Sequence, residues 1–271
     1  MKIQELGYLP GFAVAIISDQ GVHYQEAFGY RDLESKTPFS VNSLQYIGSV
    51  SKTLTGVAIM KLVEQGKLSL DDPINDFLPQ NLHNPYYPEV PITIRHLATH
   101  TASFRDPNAY EHTYIFDEKI RLSKDEVPKE FKKLIPLYNA NKPMSVENFI
   151  ESTMHPFGEY YRKRNFLRKK PGTTYNYSNM GAVVAGYIIE LVSGESYEEY
   201  TRNLILEPLG MEQSGWFHDE VDMSQFVSLY LSNDKKIPPY SLLAHGDGGM
   251  ITSVHDLSIF FLEMIKGYKT G

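Results

Sequence analysis

Residues 179–192 constrain the fold more than any other stretch. Their apolar side chains fall on two helical stripes: Ala182, Val183, Gly186 and Ile189 on one, Val184, Ile188 and Leu191 on the other. One stripe suits a helix lying on a surface, whereas two require a helix covered on most sides. Such a helix needs partners all round it, so it implies a large core, and Gly194 is its expected stop. The 271 residues are enough to build that core as one large domain or a domain with a lobe.

Several partners can be read nearby. Residues 11–29 predict a β-hairpin: Phe12, Val14 and Ile16 alternate with Ala13, Ala15 and Ile17, Ser18-Asp19-Gln20-Gly21 is turn chemistry, and 22–28 returns. The first strand is apolar on both faces, so both faces should be covered. Leu54, Val57, Ala58 and Leu62 predict a helix over 50–65 with Gly66 as its stop. Asp72-Pro73 reads as an N-cap followed by proline at the first helical position. Thr93 should cap a helix running through Leu97. Residues 104–170 are tyrosine-rich and charged and read as an irregular insertion with helices near 125–135 and 145–154. A further helix is expected over 197–206, ending before Pro208. Ser253-Val254-His255-Asp256 resembles a capping box, with Leu257, Phe260, Phe261 and Met264 behind it and Gly267 as the stop. Helices segregated from an antiparallel hairpin predict an α+β fold, a sheet subdomain joined to a large helical one.

Charge and composition remove several functions. The chain carries a net charge of −7, which argues against nucleic acid as the main partner. Residues 104–170 run the other way, with 14 basic and 10 acidic residues. Their cluster of Arg162, Lys163, Arg164, Arg168, Lys169 and Lys170, interleaved with Tyr160, Tyr161 and Phe166, fits a solvated face better than a nucleic-acid surface. No cysteine is present, which removes disulfides, thiolate metal sites and a cysteine nucleophile. No apolar run approaches the roughly 18 residues of a membrane span. Glu5 and Pro10 interrupt the N-terminus, so no signal peptide is expected there.

The string Ser49-Val50-Ser51-Lys52 carries the most chemistry. Ser49 sits where the 50–65 helix begins, and free backbone N–H groups there favour a developing negative charge. Lys52, three residues on, lies on the same face within reach of Ser49. A serine hydroxyl becomes a nucleophile only when something takes its proton, and a lysine can do that only if its surroundings depress its basicity. The string alone is weak evidence, since 21 serines and 18 lysines give about one such spacing by chance. A second copy, Ser232-Asn233-Asp234-Lys235, lies in a polar run without a following helix and reads as a loop. The other element is Tyr177-Ser178-Asn179, the single Tyr-x-Asn among 19 tyrosines, which opens the 179–192 helix. A tyrosine hydroxyl there can relay a proton, and an asparagine can hold a lysine and a substrate amide together. The plainer reading, with Ser178 or Asn179 as a helix cap only, stands beside it.

In order along the chain, these strings resemble the superfamily of penicillin-binding proteins and class C β-lactamases. The match begins at Phe28-Gly29-Tyr30-Arg31-Asp32 and Gly48-Ser49-Val50-Ser51-Lys52. It continues through Gly66-Lys67-Leu68-Ser69-Leu70-Asp71-Asp72-Pro73 and Ile94-Arg95-His96-Leu97-Ala98-Thr99-His100-Thr101. It resumes at Pro171-Gly172, Tyr177-Ser178-Asn179, Glu207-Pro208-Leu209-Gly210-Met211 and Gly248-Gly249-Met250-Ile251-Thr252-Ser253. The resemblance spans about residues 10–266, with 104–170 poorly matched. It implies a β-lactamase/transpeptidase-like fold and a serine hydrolase working through an acyl-enzyme. Ser49 would be the nucleophile, Lys52 and Tyr177 the proton-transfer pair, Asn179 the substrate-orienting group and the Ser49 N–H part of the oxyanion hole. No metal or organic cofactor is implied. The substrate would be a D-amino-acid peptide, an ester or a β-lactam, and the compartment periplasmic or extracellular. A non-catalytic penicillin-binding-like sensor, an inactive fragment, and an interaction role for 104–170 are the rivals; the oligomeric state is left open.

Two departures from the family pattern stand out. Ala102-Ser103 replaces the Ser-Gly that usually follows His-Thr, and a third motif of Lys-Thr-Gly or His-x-Gly on a strand is not secured. Lys269-Thr270-Gly271 spells that motif but directly follows the last helix and reads as a loop. The expected organisation is one domain over 1–271, incomplete at its C-terminus. Residues 1–48 start a sheet subdomain, 49–240 form the helical subdomain with its 104–170 insertion, and 241–271 return towards the sheet. The site would then hold its nucleophile and half an oxyanion hole. His96 and His100 have the i, i+4 spacing of metal ligands, but Leu97 stands where the zinc-protease motif needs glutamate, so they read as structural. His245 reads as a turn residue, and Gly246 to Gly249 as close backbone packing.

Overall fold

A computed structural model describes residues 9–125, 127–129, 131–232 and 235–270. The hairpin forms as the alternation predicts, with β1 (Gly11–Ser18) antiparallel to β2 (Gly21–Asp32) around the Asp19-Gln20 turn. β3 (Thr37–Pro38) adds to β2, giving the sheet order β1-β2-β3, and the remaining strands pair in twos: β4 (Gln45–Tyr46) with β9 (Ile251–Thr252), β5 (Tyr114–Phe116) with β8 (Tyr240–Leu242), and β6 (Leu229–Ser232) with β7 (Lys235–Ile237). The long central helix α4 (Asn179–Ser193) is wrapped as its two stripes require. It packs against α1 (Lys52–Glu64), α2 (Ile94–Ala98) and α3 (Val146–Met154), and Met180, Val184 and Ile189 are fully buried. Leu54 and Leu62 of α1 and Phe149 of α3 fill the same core, each contributing about 2 kcal/mol through lost water contact. Helices and small antiparallel sheets together make an α+β arrangement of the β-lactamase/transpeptidase-like kind. Among the described residues no helix is long and apolar enough to cross a membrane.

Local signals placed most boundaries. Ser178 caps α4 by accepting from Gly181 N, and Gly194 ends it with φ of 80°. Thr93 caps α2 through His96 N, while the His96 ring accepts from Thr93 N in return. Ser145 caps α3, and Gly66 closes the end of α1 at φ of 67°. Phe104 bridges to Phe166 and their rings meet edge on at 5.6 Å, which closes the neck of the 104–170 segment.

Several expectations are corrected. Among the described residues, β1 is covered on one face: α5 (Val254–Thr270) packs there, with Gln25 donating to Ser258, while on the other face Ile16 is 57% exposed. Asp72 is not the helix cap. Its carboxylate turns back to Ser69 N, and a short 3-10 turn at Ile74–Asp76 starts after Pro73. Near 125–135 the described residues form turns rather than a helix, leaving one helical turn at Ile135–Tyr138; Pro128 and Pro136 supply no N–H to a longer one, and residues 126 and 130 lie outside the described residues. The helical run from Tyr197 does not end before Pro208. It widens into a π-helix over Arg202–Leu206 and continues to Leu209. The wider turn relieves the clash that proline would make with the carbonyl four residues back. Ser232 and Lys235 lie on the paired strands Leu229–Ser232 and Lys235–Ile237 rather than in a loop. Finally, α5 runs through Gly267 to Thr270, so Lys269 is helical, and its amine meets Asp19 at 2.5 Å beside the hairpin turn.

Ser103 explains one sequence departure. It takes φ of 62°, the left-handed region where the family pattern places glycine. The 1% exposed side chain recovers part of that cost by donating to the Lys169 carbonyl at 2.8 Å. Ser103→Ala keeps the backbone strain and removes that hydrogen bond, leaving the Lys169 carbonyl to the Asn84 amide alone, so it should cost about 0.5–1.5 kcal/mol. Ser103→Gly, which relieves the strain, should be the more stable of the two variants in chemical denaturation. The reverse order would refute this account.

Candidate active site

Backbone pairing assembles the site. β4 (Gln45–Tyr46) lies antiparallel to β9 (Ile251–Thr252), and Ile47 N donates to Met250 O at 3.1 Å. That pairing sets the turn at Gly48–Ser51 beside the glycine-rich return at 245–249. Gly186 of α4 and Gly246 of the return then meet backbone to backbone: a Cβ on Gly186 would lie 2.9 Å from the Gly246 Cα. The glycines of this run therefore serve close packing, as the sequence suggested.

Ser49 lies in the 3-10 turn that leads into α1, exposed, directly after Gly48 with φ of 53°. Two groups converge on its Oγ: the Tyr177 hydroxyl at 2.6 Å and the Lys52 amine at 3.2 Å. The amine also donates to Asn179 Oδ1 at 2.8 Å and to the Asp247 carbonyl, and it lies 5.2 Å from the centre of the Tyr177 ring. Three acceptors match the three N–H groups of an ammonium. All four residues singled out by sequence, Ser49, Lys52, Tyr177 and Asn179, are thus brought into one cluster. Chemically, a hydroxyl with an amine and a phenol on its oxygen has two routes by which its proton can leave.

Neighbours that the sequence did not reveal hold this cluster. The His100 ring packs on Tyr177 with centroids 4.6 Å apart, and its Nδ1 accepts from Ser178 N at 3.4 Å. Burial, reinforced by the Lys52 charge, pushes the His100 imidazole below its ordinary value, so the accepting neutral ring is favoured. His96, whose ring accepts from Thr93 N, and His100, stacked on Tyr177, thus hold local structure. Asp106 accepts from Ser178 Oγ, Asn179 Nδ2 and Met180 N. It stands in the insertion beyond the His-Thr string, and no spacing rule marks it. His245 lies in the 3-10 turn His245–Asp247, as its sequence context suggests, yet it is 4% exposed, and Nδ1 meets Glu198 Oε1 at 2.5 Å, tying the return to the helical run at Tyr197–Thr201.

Asp247 is 3% exposed, and Tyr110 donates its hydroxyl to Oδ2. Burial pushes the Asp247 carboxyl up from 3.8 to about 6, the Tyr110 hydrogen bond and the Lys52 charge only partly opposing it. Burial also pushes the Tyr110 phenol up, so it stays a donor. Because the folded value exceeds the unfolded one, the folded chain binds the proton more tightly. Stability then falls as pH rises between those values, by about 3 kcal/mol in all. Asp247→Asn removes this penalty. Its stability relative to the parent should therefore be higher at pH 8 than at pH 4.5, whatever constant offset the amide brings. Melting curves of both proteins at the two pH values check this, and a pH-independent difference would refute it.

The chain is similar to known proteins over nearly its whole length. Residues 2–269 match the family described as Beta-lactamase. The octameric penicillin-binding protein homologue from Pyrococcus abyssi is 32% identical with a TM-score of 0.75, over 98% of this chain and 54% of that one. A penicillin-binding protein from Bacillus halodurans, at 22% identity and a TM-score of 0.65 over 94% of this chain and 68% of that one, shares the fold. The human serine beta-lactamase-like protein LACTB, mitochondrial, is 27% identical over 303 residues, 97% of this chain and 54% of that protein. The chain thus spans about half the length of the curated relatives it matches. The protein belongs to the Beta-lactamase family, a family of serine β-lactamase and penicillin-binding-protein-like hydrolases.

Proposed function

We propose that this chain is a serine hydrolase domain that works through an acyl-enzyme on Ser49. The convergence of the Tyr177 hydroxyl and the Lys52 amine on Ser49 Oγ carries this reading. Ser49 Oγ attacks a substrate carbonyl while its proton passes to the Tyr177–Lys52 pair, which this step requires in the form that holds one proton fewer than a phenol and an ammonium together. The tetrahedral oxyanion collapses, and the leaving amine or alkoxide takes that proton away. Water then attacks the acyl ester, its proton passing through the same pair to Ser49 Oγ as the ester bond breaks, and the acid is freed. Asn179 holds Lys52 and orients the substrate amide, and the Ser49 N–H at the helix entrance serves the oxyanion. Lys269 is helical and bonded to Asp19 beside the hairpin turn. The substrate class is a D-amino-acid peptide, an ester or a β-lactam, each presenting a carbonyl that an exposed serine can reach.

Incubation with a fluorophosphonate and a fluorescent penicillin tests this. The parent protein should be labelled on the peptide carrying Ser49, and Ser49→Ala should not be labelled while melting within a few degrees of the parent. Lys52→Ala should label at least about 100-fold more slowly, the usual scale for a lost proton-transfer group. A panel of simple esters and D-Ala-D-Ala peptides then identifies the acyl group. Labelling without turnover on any of them would favour a binding or sensing role, and ester hydrolysis retained by Ser49→Ala would refute the mechanism.

A further inference from the structure

Asp106 touches neither Ser49 nor Lys52, yet its two carboxylate oxygens divide their work. Oδ1 accepts from Ser178 Oγ at 2.9 Å and from Met180 N at 3.0 Å, at the start of α4. Among the described residues, Oδ2 accepts from Asn179 Nδ2 alone, at 3.0 Å. The opposite end of that same amide, Oδ1, accepts from Lys52 Nζ at 2.8 Å. A primary amide has one accepting and one donating end, and a half-turn of the group exchanges them. An ionised carboxylate only accepts, so Oδ2 of Asp106 can bind nothing but the donating end. With Nδ2 held there, Oδ1 must face the Lys52 amine.

We propose that Asp106 is a positioning residue for the reaction: it fixes the orientation of the Asn179 amide, whose oxygen in turn draws the Lys52 amine to its place beside Ser49 Oγ. The inference rests on the acyl-enzyme reading of Ser49. Asp106 itself is exposed, so water competes for its oxygens. Its contribution comes from being charged and from aligning three donors of one helix start, not from burial. Without it the outer end of the amide faces water, which both donates and accepts and so imposes no orientation.

The division of labour between the two oxygens makes a selective test available. Asp106→Asn can keep Oδ1, with its two bonds to Ser178 and Met180, while an NH2 group replaces Oδ2. Two bonds hold the new amide in that orientation against one that would turn it. The NH2 then confronts Asn179 Nδ2, donor against donor. The expected result is a roughly tenfold fall in the maximal rate of fluorophosphonate labelling at Ser49, with the half-saturating probe concentration little changed and the melting temperature within a few degrees of the parent. In an Asn179→Ala background the same substitution should change the labelling rate less than about twofold, because the group it acts through is gone. An equal loss in both backgrounds would mean that Asp106 acts only by holding the helix start, and would overturn the proposal. So would a labelling rate unchanged from the parent in Asp106→Asn. A parent protein that is not labelled at all would instead remove the acyl-enzyme reading, and this inference with it; a labelled parent with an unaffected Asp106→Asn removes this inference alone.

Discussion

The three-way hold on the Lys52 amine organises the molecule. Its acceptors come from three separate stretches: Ser49 in the turn before α1, Asn179 at the start of α4, and the Asp247 carbonyl in the glycine-rich return. Each acceptor is itself placed by larger structure. The β4–β9 pairing aligns the first with the third, and the packing of α1 against α4 brings the second within reach. An ammonium with one acceptor missing would leave a half-buried charge unsatisfied. The same arrangement therefore serves the fold and the proposed chemistry.

Electrostatics around that hub are uneven. The open side, with Ser49 and Tyr177 exposed, is wet, and charges there are screened. The inner side is dry. Asp247 and His245 are both almost fully enclosed, one met by the Tyr110 hydroxyl and the other by the Glu198 carboxylate. Buried ionisable groups of this kind cost stability, and they recur where a chain has to hold polar machinery in place. The return between β8 (Tyr240–Leu242) and β9 is thus pinned through its side chains as well as through its backbone.

Much of this was legible in the sequence, and the limits have physical reasons. The hairpin, α1 and α4 follow from apolar spacing and from caps within a few residues, which are local properties. Ser49 and Lys52 are joined by helical spacing, and Tyr177 and Asn179 by a rare string at a helix start. Asp106 and Asp247 were invisible because each is one of 33 acidic residues whose importance comes from partners more than 70 positions away. The run past Pro208 depends on a shift in hydrogen-bond register that no propensity records. The left-handed Ser103 was readable only as an oddity, a serine where a resembling family carries glycine. The expectation of a covered β1 failed in a different way: apolarity on two faces states a demand, and the described residues meet it on one.

The contact between Gly186 and Gly246 has a consequence for how the site can move. Loops over a nucleophile commonly flex on their own within nanoseconds to microseconds. Here the return that carries the Asp247 carbonyl meets the central helix with no side chain between the two backbones, and Glu198 grips His245 from a second element. A swing of the return away from Lys52 must therefore drag or tilt α4, the most enclosed helix in the molecule. The breathing of the site is the breathing of the core, slow and collective, and heat that loosens one should loosen the other at the same temperature.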